Sequence, residues 1–460
     1  MRNCEGRMDR TLGYLGLGRL GVLGSAADRL GDAQAMAQRS AGSTGQPPDR
    51  RESPRMTYDL RRKTSATIAA RLAAGVAAVT LTLTGNAAFG EILALVNYET
   101  KSADSLKSLK RPIAPPARKE GLAVIDLEPG SKTFGRVVKD IELPGDTVAH
   151  HIFYNRDQSK AYITALGRPE LRVIQMADPN LGVKVVAIPD CQVGEDVVFS
   201  EDNRTWYVTC MGSDAVIVGD AVTDTPVRTI KVPLKYPHGI AIHNGIDRVL
   251  VTSTVRASDL GDPGEAVGVL EASTGRWLGE IKVSTKPSPA KAAPVEILFV
   301  PGSNPPVAYV TNMYEGTLAA LTWNPGTKTF TFSQAFDFSP MKMGVPLEMY
   351  LTPDGRTMYV TTAKPGHLHV FDLSANAAAP VHKKAIAAAE GAHHVAFTRD
   401  WKYAFVQNTL LNLPGMSDGS ITVVDLQRGE VVASVETFKE SGHTPNSIVL
   451  LPKWNHLAGH

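Results

Sequence analysis

The 460-residue chain carries 12 histidines, and none of them lies in the first 149 positions. Several stand beside one another or beside acids: His150-His151, Glu195-Asp196, His238-Gly239, Val295-Glu296, Leu347-Glu348, His393-His394 and Asn446-Ser447. Imidazole nitrogens gathered at one point are what zinc, copper or iron takes as ligands, and carboxylates serve as further ligands or hold the imidazoles in place. Side chains alternate along a strand, so only one residue of each pair is expected to face a shared centre. The first members His150, His238 and His393 form the expected ligand core. His151 and His394 fall in a second set with Asp196, Glu296 and Glu348, while Glu195 shares the first. Glu195, Glu296 and Glu348 are also candidate proton acceptors. The plainer reading is that all of these residues solvate a water-filled channel and bond neighbouring backbone groups.

Residues so far apart in sequence converge only if the elements carrying them repeat around an axis. The sequence does repeat. A short strand reading Tyr-Val-Thr or a close variant recurs at Tyr162-Ile163-Thr164, Tyr207-Val208-Thr209, Leu250-Val251-Thr252, Tyr309-Val310-Thr311, Tyr359-Val360-Thr361 and Phe405-Val406-Gln407. Turns of Asn, Asp and Gly precede it, as at Asn155-Arg156-Asp157, Ser200-Glu201-Asp202, Thr352-Pro353-Asp354-Gly355 and Thr398-Arg399-Asp400. A third strand follows, as in Gly366–Leu373 and Gly419–Leu426, with the β-branched content and alternation of strands.

Aligned on the turn, His151, Asp196, Gly239, Glu296, Glu348, His394 and Ser447 are equivalent, at intervals of 45, 43, 57, 52, 46 and 53 residues. That spacing suits the four-stranded blades of a β-propeller. The seventh unit stops early. Strands at 91–96 and 121–127 are expected to complete it, because pairing the two chain ends protects an open sheet edge. The expected fold is therefore all-β, a seven-bladed propeller over 91–460 closed by its N- and C-terminal strands. The acidic and imidazole positions are expected around one mouth of its channel.

The recurring Tyr-Val-Thr strands resemble the YVTN-type β-propeller family of secreted or periplasmic bacterial proteins. A narrower resemblance is to the selenium-binding protein/methanethiol oxidase family, in which a propeller carries an early His-His pair and is associated with copper. His150-His151 is similar to that pair, with His238 and His393 able to complete a set. The resemblance makes copper the first candidate among transition metals and a metal-dependent oxidoreductase an alternative to a binding module. Ile152-Phe153-Tyr154-Asn155 stands where that family has a Gly-Trp and a cysteine-rich motif, which counts against thiol chemistry. A structural interaction platform is the third reading.

Composition narrows the partners. The 43% hydrophobic content supports a folded core, and the formal charge of +2 implies no basic surface for nucleic acid. Gly and Pro number 40 and 30, which suits an architecture of many tight turns. Residues 56–90 read as a signal peptide: Arg61-Arg62-Lys63, an apolar stretch Leu72–Leu81, then small residues to Gly90. Residues 1–55 read as an upstream extension outside the fold. Before residue 91 lie 13 basic and seven acidic residues of totals 48 and 46, leaving 35 and 39, a mildly acidic chain. The expectation is a periplasmic or secreted monomer with no stable membrane span, which binds a small molecule or protein partner at the channel mouth.

Three cysteines exclude a disulfide-built scaffold. Cys4 falls in the extension. Cys191 and Cys210 flank the inner hairpin of the second blade, where a disulfide, two buried thiols or a redox role all remain open; hairpin counting sets Cys210 opposite Glu195. His367 and His369 share one face of a strand and read as an exposed polar face, and His456 and His460 read as exposed. The apolar insert 408–417 reads as packing on the adjacent blade, as a lid over the channel mouth or as a partner-binding loop. Lys101–Lys119 reads as a solvated loop. No Ser-His-Asp order, phosphate loop or dinucleotide fingerprint occurs in a suitable context.

Overall fold

The computed structural model describes residues 92–103 and 117–456. The upstream extension, the signal peptide and His460 lie outside the described residues.

Seven four-stranded antiparallel sheets make up the described chain. Blades 1 to 6 follow the sequence, each beginning with its inner strand: Ala149–Tyr154, Gly194–Phe199, Pro237–His243, Pro294–Phe299, Gly344–Leu351 and Ala392–Phe397. Blade 7 takes its inner strand His443–Leu450 from the C-terminus and its other three, Leu93–Thr100, Glu120–Asp126 and Val137–Leu143, from the N-terminus. Ala94 pairs with Leu450 and Val96 with Ile448, so the closure joins the two ends of the domain in register. The seven-bladed propeller with closure by its terminal strands is as the repeat requires.

Packing explains why the units are strands of this composition. Each of seven apolar clusters spans one interface between neighbouring blades; between blades 2 and 3, for example, Tyr207, Val216 and Val218 meet Ile240, Ile242 and Val249. Inner and middle strands are therefore buried on both faces, whereas outer strands such as Val137–Leu143 alternate. Close approach dictates a glycine at one such interface. Trp206, fully buried, lies across Gly219 on the neighbouring strand, and a Cβ there would stand 1.9 Å from its indole.

One irregularity recurs in every blade. The inner-to-middle pairing slips between Ala149 and Ile152, Gly194 and Val197, Pro237 and Ile240, Pro294 and Ile297, Pro346 and Met349, and Ala392 and Val395. In blade 7, Asn97 pairs with Ser447 and Tyr98 with Pro445, leaving Asn446 over. These are β-bulges, in which an extra residue goes unpaired and side chains are re-aimed. They fall at the seven aligned doublets.

The third residue of the Tyr-Val-Thr strand holds the bulge in blades 1 to 6. The main-chain N–H groups of His151, Asp196, Gly239, Glu296 and Glu348 donate to the hydroxyls of Thr164, Thr209, Thr252, Thr311 and Thr361 at 2.8–3.1 Å. In blade 6, Gln407 Oε1 accepts from His394 N at 3.1 Å. Several of these side chains also donate to the next blade: Thr252 to Val295 O at 2.7 Å, Thr311 to Leu347 O at 2.7 Å, Gln407 to Pro445 O at 2.6 Å and Asn97 to His150 O at 2.8 Å. The repeat motif is thus a buried latch that fixes one bulge and ties it to its neighbour, and it satisfies backbone groups the bulge leaves unpaired.

Candidate metal centre

The bulges bring both members of each histidine pair to the channel centre. The expectation that only one would face inward fails because simple alternation does not survive an inserted residue. His150 and His151 stack at 3.9 Å between ring centres, and His393 and His394 sit 4.2 Å apart. His151 lies 4.5 Å from His394, 5.8 Å from His238 and 6.1 Å from His393. Glu195, Asp196, Glu296 and Glu348 stand among them, and all nine side chains are buried.

Donor atoms divide into two groups, each with its atoms within 4.8 Å of one another: His151, Glu348, His393 and His394 in one, His150, Glu195 and His238 in the other. The expected core of His150, His238 and His393 is therefore split between them. In the first group, His151 Nδ1 shares a 2.7 Å hydrogen bond with Asp196 Oδ1, and the buried His151 Nε2 makes none. A carboxylate on one imidazole nitrogen with the other left open is how metal-binding histidines are usually oriented. His393 Nδ1 stands 3.1 Å from the carbonyl of Thr409. A carbonyl can only accept, so Nδ1 carries a proton, and Nε2 is an acceptor unless a second proton occupies it. That nitrogen faces Glu348 Oε1 at 3.2 Å. That contact is held by a proton or by a cation between the two atoms.

The second group centres on Glu195. Its Oε2 lies 3.2 Å from His150 Nε2 and 3.6 Å from His238 Nε2. Asp196 reaches toward both groups, with Oδ2 3.8 Å from His238 Nδ1. Burial, then the neighbouring imidazoles, hold His151 well below the ordinary histidine range; burial lowers His238 too. Burial, then the charges of Glu296, Glu348 and Glu195, push Asp196 well above the usual carboxylate range. Glu296 is raised in the same way, by burial and then by Glu348. The centre thus favours the neutral forms of His151 and His238 and holds more carboxylates than it can keep ionised without a cation.

Access differs from the expectation of an open mouth at the N-terminal ends of the inner strands. Leu410 and Leu413 of the insert pack with Val255, Val295, Met313 and Leu347 on blades 3 to 5, so the insert caps that end beyond its own blade. Lys101, expected in a solvated loop, is buried and ties the cap down by donating to the carbonyls of Ser417 and Asp418. Residues 104–116 of that loop lie outside the described residues. A cavity of about 330 Å³ occupies the opposite side, lined by Phe153, Phe199, Phe299, Tyr350 and His456, and it reaches His394.

The remaining candidates resolve as follows. Cys191 and Cys210 form a disulfide, with Cα atoms 5.1 Å apart. Cys210 pairs with Gly194 rather than Glu195, because the bulge shifts the register. His369 is fully buried, not exposed: Nε2 is 3.0 Å from Thr362 Oγ1, Nδ1 is 3.2 Å from His382 Nε2, and the ring packs on Phe338. His367 is only partly buried. His456 is buried as well, against Phe397 and Trp401. No helix among the described residues is long and apolar enough to cross a membrane.

No family model matches the chain, and no curated protein matches it. Solved structures share its fold. A hypothetical selenium-binding protein from Sulfolobus tokodaii aligns with a TM-score of 0.62 at 11% identity, covering 79% of this chain and 94% of that one. A functionally unknown protein from Desulfotomaculum acetoxidans gives 0.56 at 15% identity over 78% and 98% of the two chains. A putative 6-phosphogluconolactonase from Bacteroides uniformis gives 0.54 at 11% identity over 78% and 99%. At these identities the likeness is one of fold, and propellers host many chemistries.

Proposed function

We propose that this chain is a metal-binding propeller whose channel centre holds a transition-metal ion on His151, His393, His394 and Glu348. The observation that carries this reading is the facing pair, His393 Nε2 and Glu348 Oε1 at 3.2 Å, with Nδ1 of His393 turned away to Thr409 O. The open, buried His151 Nε2 beside them supports it. An imidazole-rich set with one carboxylate suits copper, zinc, iron or nickel, and copper is the candidate we favour from the His150-His151 resemblance. Asp196 orients His151, and Thr409 orients His393. The ion would supply a Lewis acid or a redox centre at the inner end of the cavity.

The cavity supports a small-molecule ligand approaching His394, and through it the alternative reading of an oxidoreductase. The Cys191–Cys210 disulfide supports an oxidising compartment, periplasmic or extracellular. The Tyr-Val-Thr latches are the feature on which YVTN-type kinship would rest.

Protein incubated with Cu²⁺ or Zn²⁺ and dialysed should retain metal that His151→Ala and His393→Ala lose. Unchanged retention in both variants, with circular dichroism unaltered, would overturn the proposal.

A further inference from the structure

We infer that the channel holds a second metal ion, on His150, His238 and Glu195, beside the first. This rests on the reading above and extends it to a two-ion centre. The two donor groups share no residue, yet each gathers its donor atoms within 4.8 Å. The groups adjoin where His150 stacks on His151 at 3.9 Å.

The second group has the marks of a ligand site in its own right. Glu195, 3% exposed, buries an Oε2 that makes no hydrogen bond although it lies 3.2 Å from His150 Nε2 and 3.6 Å from His238 Nε2. His238 turns its Nε2 to this oxygen and its Nδ1 to Asp196, so the imidazole is set between the two carboxylates. Leaving the Glu195 oxygen unsatisfied is costly, and a cation between it and the two Nε2 atoms satisfies it. Three protein ligands is the donor count of reactive sites, in which a fourth position takes an exchangeable ligand, rather than of purely structural ones. Asp196 lies between the groups, 2.7 Å from His151 Nδ1 by Oδ1 and 3.8 Å from His238 Nδ1 by Oδ2, so its carboxylate is placed to respond to both ions. A pair of neighbouring ions can hold two atoms of one small ligand at once.

The test is metal stoichiometry. The full chain, loaded with Cu²⁺ and dialysed, is assayed for copper per chain by mass spectrometry and for unpaired spins by electron paramagnetic resonance. Two coppers are expected in the wild type, with fewer spins than copper ions because neighbouring centres couple. Glu195→Gln, close in shape, should retain one copper with full spin recovery; His238→Gln provides the same reading if that variant folds poorly. One copper in the wild type, unchanged in both variants, overturns the second ion and leaves the first standing. None in the wild type overturns both.

Discussion

Two regions of this molecule collect histidines, and they do so to different ends. On blade 5, His369 meets His382 and Thr362 with both ring nitrogens occupied, under the ring of Phe338. In the channel, five histidines meet four carboxylates, and His151 Nε2, His238 Nδ1 and Glu195 Oε2 are buried without hydrogen bonds. A satisfied imidazole is a packing element. An imidazole with one nitrogen fixed and the other open is poised for a ligand. His369 is as buried as the channel imidazoles, so what separates it from a candidate ligand is the account of its second nitrogen.

The largest expected effect breaks this comparison if it is wrong. His151→Ala should weaken metal retention by more than the roughly 100-fold that loss of an orienting partner alone can cost. His369→Ala should leave metal content as it was, as measured by metal analysis after dialysis. Equal loss in both variants would erase the distinction between the regions.

The next two predictions concern the bulges that set the channel apart. Gly239 occupies the blade 3 slot without a side chain, and a Cβ would stand 2.2 Å from Val295 O, which is backbone and cannot easily yield. Gly239→Ala should cost about 3 kcal/mol in chemical denaturation, at the upper end for a single substitution. Thr252→Val removes the acceptor for Gly239 N–H and the donor to Val295 O. It should cost about 2 kcal/mol, the penalty of leaving buried partners unmatched. A change of a few tenths in either would mean that the ring is not held by these contacts.

The smallest effect sharpens the other side. Burial, then His382 and His367, bring the pKa of His369 down to about 3. Above the unfolded value of about 6.5 the ring is neutral in both states; below it, only the unfolded chain takes up the proton. Stability tied to His369 is therefore present at neutral pH and is lost as pH falls from about 6.5 toward 3. Denaturation midpoints of His369→Gln should fall less steeply over that window than those of the wild type. Parallel curves would contradict the burial of His369 in its neutral form.

Much of the fold was legible because a repeat displays its period. The Tyr-Val-Thr strands and their turns located the blades, and the truncated last unit called for strands at 91–96 and 121–127, which the structure places at 93–100 and 120–126. The nine site residues were also legible, since equivalent positions in a ring converge whatever their separation in sequence. Their orientation was not. A bulge inserts one residue without a marker of its own, so counting by alternation left His151 and His394 out of the expected ligand core and set Cys210 against Glu195. Burial contributed by another element was equally hidden. His369 is covered by Phe338 from blade 4, and His456 by a return of the tail in which Asn455 bridges to Thr398. The insert at 408–417 showed its apolar residues but not that blades 3 to 5 would receive them.

The central claim is that the channel centre is a ligand set for metal rather than a solvated pore. A crystal of the Cu²⁺-loaded chain, measured at the copper absorption edge, tests it most directly. The account predicts an anomalous peak bounded by His151, His393, His394 and Glu348. No peak there, with His393 and Glu348 joined by a proton and water between the remaining groups, would contradict it.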